Sequence, residues 1–166
     1  KKKYLFAGLG TMGYPMAGHL SKNENLEIYV FNRTDCLADQ WLSEYKGSKF
    51  NFNDAHKRFD GLILCLKDDC SITDVLINKS LVSYLKHNSF IIDHSTTSLE
   101  LVRSITEDKV IIKKNISFYD SPISGGEAGA IQGSLSVMFG GPEYKISIIE
   151  SLMQHYSKSI VHVGPN

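Results

Sequence analysis

The sequence predicts an α/β fold of the doubly wound type, a mostly parallel sheet with helices on both faces. Three observations predict it. Short apolar runs alternate along the chain with longer stretches of helical periodicity. Several runs, such as Gly61–Leu66, are almost continuously apolar, as strands covered on both faces must be. A glycine-rich turn follows the first run directly, at Gly8-Leu9-Gly10-Thr11-Met12-Gly13.

Taken in order, the first strand is expected over Tyr4–Ala7 and the first helix over Met12–Ser21, with Pro15 in a first turn where its missing N–H costs little. A strand over Glu27–Phe31 and a helix over Cys36–Tyr45 follow, and residues 46–59 carry no clear pattern. The strand Gly61–Leu66 leads to a helix over Ile72–Leu76, the strand Phe90–Asp93 and a helix over Leu99–Thr106. Strands over Phe118–Asp120 and Leu135–Phe139 come next. Ile146, Ile149, Leu152, Met153 and Tyr156 recur at helical spacing and predict a helix over Glu143–Tyr156, followed by a strand over Ile160–Val163. Loops this short fit one domain over residues 1–166.

Composition narrows the function classes. Eighteen Lys and Arg balance eighteen Asp and Glu, so no basic footprint for nucleic acid or an anionic membrane is expected. Lys1-Lys2-Lys3 reads as a solvated lead-in, no apolar run reaches the roughly 18 residues of a membrane span, and no secretory signal is recognisable. Three cysteines without metal-ligand spacing fit reduced thiols in a cytoplasmic protein, with Cys65 in the core. No metal site is expected: Asp68 and Asp69 have no third ligand beside them and read as a solvated helix start.

The glycine loop carries the chemistry. Placed between a strand and a helix, Gly8 permits the tight turn, Gly10 lets backbone approach a pyrophosphate, and Gly13 allows close helix–strand packing. The helix N-terminus adds free N–H groups and the positive end of its dipole. This is the Rossmann arrangement for a dinucleotide. The second strand ends in Asn32-Arg33-Thr34, where NAD-specific sites usually carry Asp or Glu for the adenosine ribose. A neutral Asn, an Arg and a hydroxyl suit a 2′-phosphate, which predicts NADP. An Arg33 stacked on adenine would tolerate NAD, the alternative cofactor.

Further segments carry a family resemblance. Gly8-Leu9-Gly10-Thr11-Met12-Gly13-Tyr14-Pro15-Met16-Ala17 resembles the opening signature of the β-hydroxyacid dehydrogenases, which include 3-hydroxyisobutyrate dehydrogenase and tartronate semialdehyde reductase. Asp93-His94-Ser95-Thr96 resembles the family's Asp-x-Ser-Thr segment, and Asp120-Ser121-Pro122-Ile123-Ser124-Gly125-Gly126-Glu127-Ala128-Gly129-Ala130 its substrate segment, with Met138-Phe139-Gly140-Gly141 in agreement. The resemblance implies hydride transfer between NADP(H) and a small 3-hydroxy acid or semialdehyde. It implies a substrate carboxylate at Ser124, Gly125 and Gly126, where a hydroxyl and unhindered N–H groups make a plausible cradle. It also implies a cofactor contact at Thr96 near the nicotinamide end, compatible with a helix N-cap in the same Thr-Thr-Ser stretch. His94 has no counterpart in the pattern and reads as an ordinary strand residue. Where relatives commonly have proline, this chain has Lys67; Leu66 and Lys67 are expected to border the cofactor through backbone, with Ser71 on the next turn.

The family's general acid/base is a lysine in a Gly-x-x-Gly-x-Gly-x-x-x-Lys pattern. Gly164-Pro165-Asn166 resembles its start, so the lysine is expected beyond Asn166 and no catalytic residue is assigned within residues 1–166. The resemblance likewise implies an all-helical second domain outside this chain, through which the parent protein forms a homo-oligomer. A competing reading is a non-catalytic NADP-binding scaffold or sensor with the same fold; the Ser124-Gly125-Gly126 turn, which a scaffold does not need, argues against it.

Overall fold

The first strand, β1 (Lys2–Ala7), lies in the interior of the sheet because its side chains are apolar on both faces: Tyr4 and Phe6 point one way, Leu5 and Ala7 the other, and all four are buried. The computed structural model describes residues 1–166. On one side β1 pairs in parallel with β2 (Leu26–Phe31), which pairs with the two-residue β3 (Ser48–Lys49). On the other side it pairs in parallel with β4 (Phe59–Leu64), and β5 (Leu85–Asp93) and β6 (Ser117–Asp120) continue outward. Beyond β6 the direction reverses. Strand β8 (Leu135–Gly140) runs antiparallel to β6 and to the short β7 (Ile123–Ser124), and β9 (Ser157–Gly164) closes the edge parallel to β8. The sheet is therefore mostly parallel, as expected, with a reversed edge.

Helices cover both faces, and each face has its own core. One core of 22 buried residues joins the sheet to α1 (Gly13–Ser21), α2 (Asp35–Glu44), α6 (Gly126–Gln132) and α7 (Ile146–Met153). Its largest member, Trp41, is fully buried and donates its indole N–H to the Tyr14 carbonyl at 3.2 Å. The other core, of 19 residues, joins the opposite face to α3 (Asp69–Thr73), the π-helical turn Asp74–Asn78, the 3-10 turn Leu81–Tyr84, α4 (Leu99–Thr106) and α5 (Lys109–Lys113).

Several boundaries differ from the sequence reading, each for a local reason. The strand expected over Gly61–Leu66 ends at Leu64, because the Leu66 N–H turns to Ser95 Oγ at 2.8 Å instead of the sheet. The helix expected over Glu143–Tyr156 covers only Ile146–Met153; Lys145, with φ 70°, is left-handed and bars an earlier start. The helix expected over Ile72–Leu76 is α3 running into a π-helical turn. α5 stands in a stretch with no predicted element, and Asp108 caps it by accepting from the Val110 and Ile111 N–H groups.

Leu62 is fully buried in β4 within the second core. Leu62→Ala is expected to lower stability by about 2–5 kcal/mol, read as a lower denaturant midpoint at unchanged slope.

Candidate cofactor-binding site

In a parallel sheet, ligands bind beyond the carboxyl ends of the strands, where neighbouring connections leave to opposite faces. Here that point lies between β1, which feeds α1 on one face, and β4, which feeds α3 on the other. An open groove of about 330 Å³ lies there.

Its floor is the glycine loop. Gly8 takes φ +105° and is held between strands, its N–H donating to the Phe31 carbonyl at 2.9 Å; a Cβ there would lie 2.1 Å from the Cys65 carbonyl oxygen. A Cβ on Gly13 would lie 1.9 Å from the Gly8 carbonyl oxygen, so the start of α1 can reach the loop only without a side chain. Gly10 differs: a Cβ there would meet nothing within 4 Å. No packing demand of the protein explains that glycine, whereas a ligand resting on the backbone would. The N–H groups of Gly10, Thr11 and Met12 make no backbone hydrogen bond and precede α1, which leaves them free for phosphate oxygens. These residues fit a pyrophosphate.

The wall is the end of β2. Asn32, Arg33 and Thr34 all line the groove. The Asn32 side chain is committed on both sides: Oδ1 accepts the Leu9 N–H at 2.8 Å and Nδ2 donates to the Thr34 carbonyl at 3.0 Å. Asn32 therefore fixes the loop against β2, and Leu9, itself buried, serves the loop through that bond and does not line the groove. Arg33 is exposed, with no salt bridge in the fold.

The opposite wall is the β4–α3 turn, where Leu66, Lys67 and Ser71 line the groove. Asp68 caps α3, accepting the Ser71 N–H at 2.9 Å and the Ser71 hydroxyl at 2.8 Å. Those bonds hold its carboxyl below the usual range, with the charges of Lys67 and Arg33 adding to the effect. Asp69 is not a free solvated group: it accepts from Ser98 N–H and Oγ and so ties α3 to the start of α4. Phe31, Cys65, Asp74 and Val75 also line the groove. Burial pushes the Cys65 thiol up to about 12, so it is a neutral part of the floor and no nucleophile.

The remaining expected residues stand apart from this groove. Thr96 is exposed beyond β5, between Ser95 and Thr97, whose hydroxyls bond the Leu66 N–H and the Asp93 carboxylate. It does not cap α4; Ser98 does, accepting the Leu101 N–H at 3.1 Å. Ser124, Gly125 and Gly126 are exposed at the end of β7 and the start of α6. Gly125 and Gly126 take φ +132° and +64°, and a Cβ on Gly126 would meet nothing. Asp93 is buried beneath this rim; burial raises its pKa against the hydrogen bonds from Thr97 and Ser95. His94, read from the sequence as an ordinary strand residue, lies just past β5, is buried, and hydrogen-bonds through both ring nitrogens. It stands at the open position of the Asp-x-Ser-Thr segment, which left that role without a signal.

The glycine loop yields a paired test. Gly13→Ala is expected to destabilise the fold markedly, through the clash with the Gly8 carbonyl. Gly10→Ala is expected to leave the melting temperature unchanged while weakening dinucleotide binding at least tenfold, measured by thermal melts beside calorimetric titration.

Comparison with known proteins agrees with this geometry. Residues 3–164 match the family described as the NAD binding domain of 6-phosphogluconate dehydrogenase. An oxidoreductase of Shewanella frigidimarina is 36% identical over 98% of this chain and 56% of its own length. The mitochondrial 3-hydroxyisobutyrate dehydrogenase of Drosophila melanogaster is 31% identical over 96% of this chain and 48% of its own. The structure of Mycobacterium tuberculosis 3-hydroxyisobutyrate dehydrogenase with L-serine superposes at a TM-score of 0.86, with 22% identity, over 99% of this chain and 55% of that one. The chain thus spans about half the length of these relatives. With a Rossmann-type sheet, a glycine loop shaped for a pyrophosphate and this match along nearly its whole length, the chain belongs to the NAD-binding domain family of 6-phosphogluconate dehydrogenase.

Proposed function

We propose that this domain binds NADP(H) for an oxidoreductase that moves a hydride between the nicotinamide and a small 3-hydroxy acid or semialdehyde. The observation that carries the reading is the groove itself: unpaired N–H groups beside the uncrowded Gly10, with Arg33 and Thr34 on the adjoining wall. When bound, the nicotinamide supplies the hydride acceptor or donor. The residues of this chain bind and orient. The Gly10–Met12 N–H groups and the α1 dipole hold the pyrophosphate. Arg33 and the Thr34 hydroxyl take the 2′-phosphate, and the Asn32 amide keeps the loop in place.

Ser124 and the N–H groups opening α6 are proposed to hold the substrate carboxylate, so that the carbinol carbon faces the nicotinamide. The proton is proposed to pass to a lysine beyond Asn166, in a parent protein that adds a helical domain and assembles as a homo-oligomer through it. The relatives support this reading by name, as 3-hydroxyisobutyrate dehydrogenase is among them.

Cofactor choice is tested by calorimetric titration of NADPH and NADH. NADPH is expected to bind at least tenfold more tightly at modest salt, a difference of about 1.4 kcal/mol, with the gap narrowing as ionic strength rises. Arg33→Ala should weaken NADPH far more than NADH. Asn32→Asp should shift preference toward NADH, and a melt of the same variant registers the lost bond to the Thr34 carbonyl. Equal wild-type affinities would sink the 2′-phosphate assignment.

Ser124→Ala in the parent enzyme is expected to raise substrate KM by roughly tenfold or more, the loss of one charge-assisted hydrogen bond, at nearly constant cofactor affinity. Steady-state kinetics with both KM and kcat unchanged would make the turn purely structural.

A further inference from the structure

Buried polar groups outside the groove concentrate at one place, around His94. Its backbone N–H donates to the Leu64 carbonyl at 2.8 Å, and the Asp93 carbonyl beside it accepts the Ser121 N–H at 2.8 Å. Its Nδ1 lies 2.7 Å from the Ser121 carbonyl oxygen, and its Nε2 lies 2.7 Å from the Tyr156 hydroxyl. The Tyr156 ring stands edge-on to the imidazole, centroids 5.4 Å apart at 89°, and is fully buried. The Tyr156 carbonyl in turn accepts the Leu135 N–H at the start of β8.

These contacts fix the protons. A carbonyl oxygen can only accept, so Nδ1 carries the hydrogen and donates it to Ser121. In a neutral ring Nε2 is then bare, and the Tyr156 hydroxyl must be its donor. Burial favours that neutral state and pushes the His94 pKa down to about 4. Each partner anchors a different part of the rim: Leu64 ends β4, beside the groove; Ser121 is at the root of the segment that carries Ser124; Tyr156 follows α7 and fixes β8, on which β7 rests.

We infer that His94, held in its Nδ1–H tautomer by Tyr156, is a positioning residue that sets the distance between the cofactor groove and the Ser124–Gly126 turn. The inference rests on the proposal that this turn holds the carboxylate, and the test keeps the two apart. A core histidine filling space would leave the turn indifferent to which nitrogen is paired. A brace would not, because of the two ring bonds only the one from Nδ1 reaches Ser121. Asn places its Nδ2 near the position of imidazole Nδ1, whereas Gln reaches toward the position of Nε2. His94→Asn and His94→Gln therefore cut the two bonds separately.

Two readouts decide it. In the isotope-labelled chain, ring nitrogen shifts should show a protonated Nδ1 and a bare, hydrogen-bonded Nε2, with Tyr156→Phe moving Nε2 alone. The amide signals of Ser124, Gly125 and Gly126 should move in His94→Gln and hold in His94→Asn, while those of Gly10 and Met12 hold in both. In the parent enzyme assayed with 3-hydroxyisobutyrate, His94→Gln should raise KM and lower kcat by about tenfold each, with NADPH affinity within about twofold and with most of the loss recovered in His94→Asn. An Nε2–H tautomer, turn amides that ignore both changes, or equal impairment by Asn and Gln overturns the brace. A wild type that binds NADPH yet neither binds nor turns over the hydroxy acid counts against the carboxylate assignment alone. The spectra then still decide on His94, and Tyr156→Phe serves if the His94 variants fail to fold.

Discussion

The rim of this sheet depends on β1 being flanked by parallel strands on both sides. Two parallel neighbours bring the ends of β2 and β4 level with the end of β1: Ala7 lies opposite both Phe31 and Leu64. From that level Gly8 turns with its N–H on Phe31 and its Cα hydrogen against the Cys65 carbonyl, a position closed to any side chain. α1 can then start only where Gly13 meets the Gly8 carbonyl. The groove is thus a consequence of strand register and two close contacts, and the side chains around it act on a cradle already made from backbone. Burial on both faces supplies the rigidity, since a one-residue slip of β1 would exchange the residues of its two cores.

The two halves of the rim are built by different means. The dinucleotide half uses backbone donors for its floor, with side chains only clamping that backbone in place: Asn32 on Leu9 and Thr34, Asp68 on Ser71, Ser95 on Leu66. The half around Ser124 stands where the sheet has changed direction, and buried side chains beneath it wire it to the rest: His94 to Ser121 and Tyr156, Thr97 to Asp93. A backbone-built site tolerates change in its surroundings provided its glycines stay. A side-chain-wired one depends on each partner.

That difference also explains what the sequence could tell. The parallel strands were legible because their period and apolar runs are local properties, and the phosphate loop because three glycines at fixed spacing encode its backbone directly. β7 and β3 were not, since two residues carry no period and exist only through their pairing with β8 and β2. Asn32 was placed at the site for its lack of charge, while its bond to Leu9 depends on where backbone 23 residues away lies. His94 was read past for a related reason: its partners are 27 and 62 residues away, and no spacing rule connects them. Asp69 likewise reaches Ser98 across 29 residues.

The reversal at β8 has a mechanical consequence. Asp120 lies opposite Asp93 at the level where the parallel strands stop, and Ser124 comes four residues later, still paired with β8 at Ser136. At about 3.3 Å per residue the turn stands roughly 13 Å above the rim. The arm is carried by its pairing with β8 as well as by Ser121 and Pro122 at its root, so a small rotation of β8 about that pivot becomes a large displacement at the tip. A tilt of about 5° would carry Ser124 by about 1 Å, the scale on which misplaced reactants lose orders of magnitude in rate. A stiff pivot is therefore worth more to such an arm than additional contacts at its end.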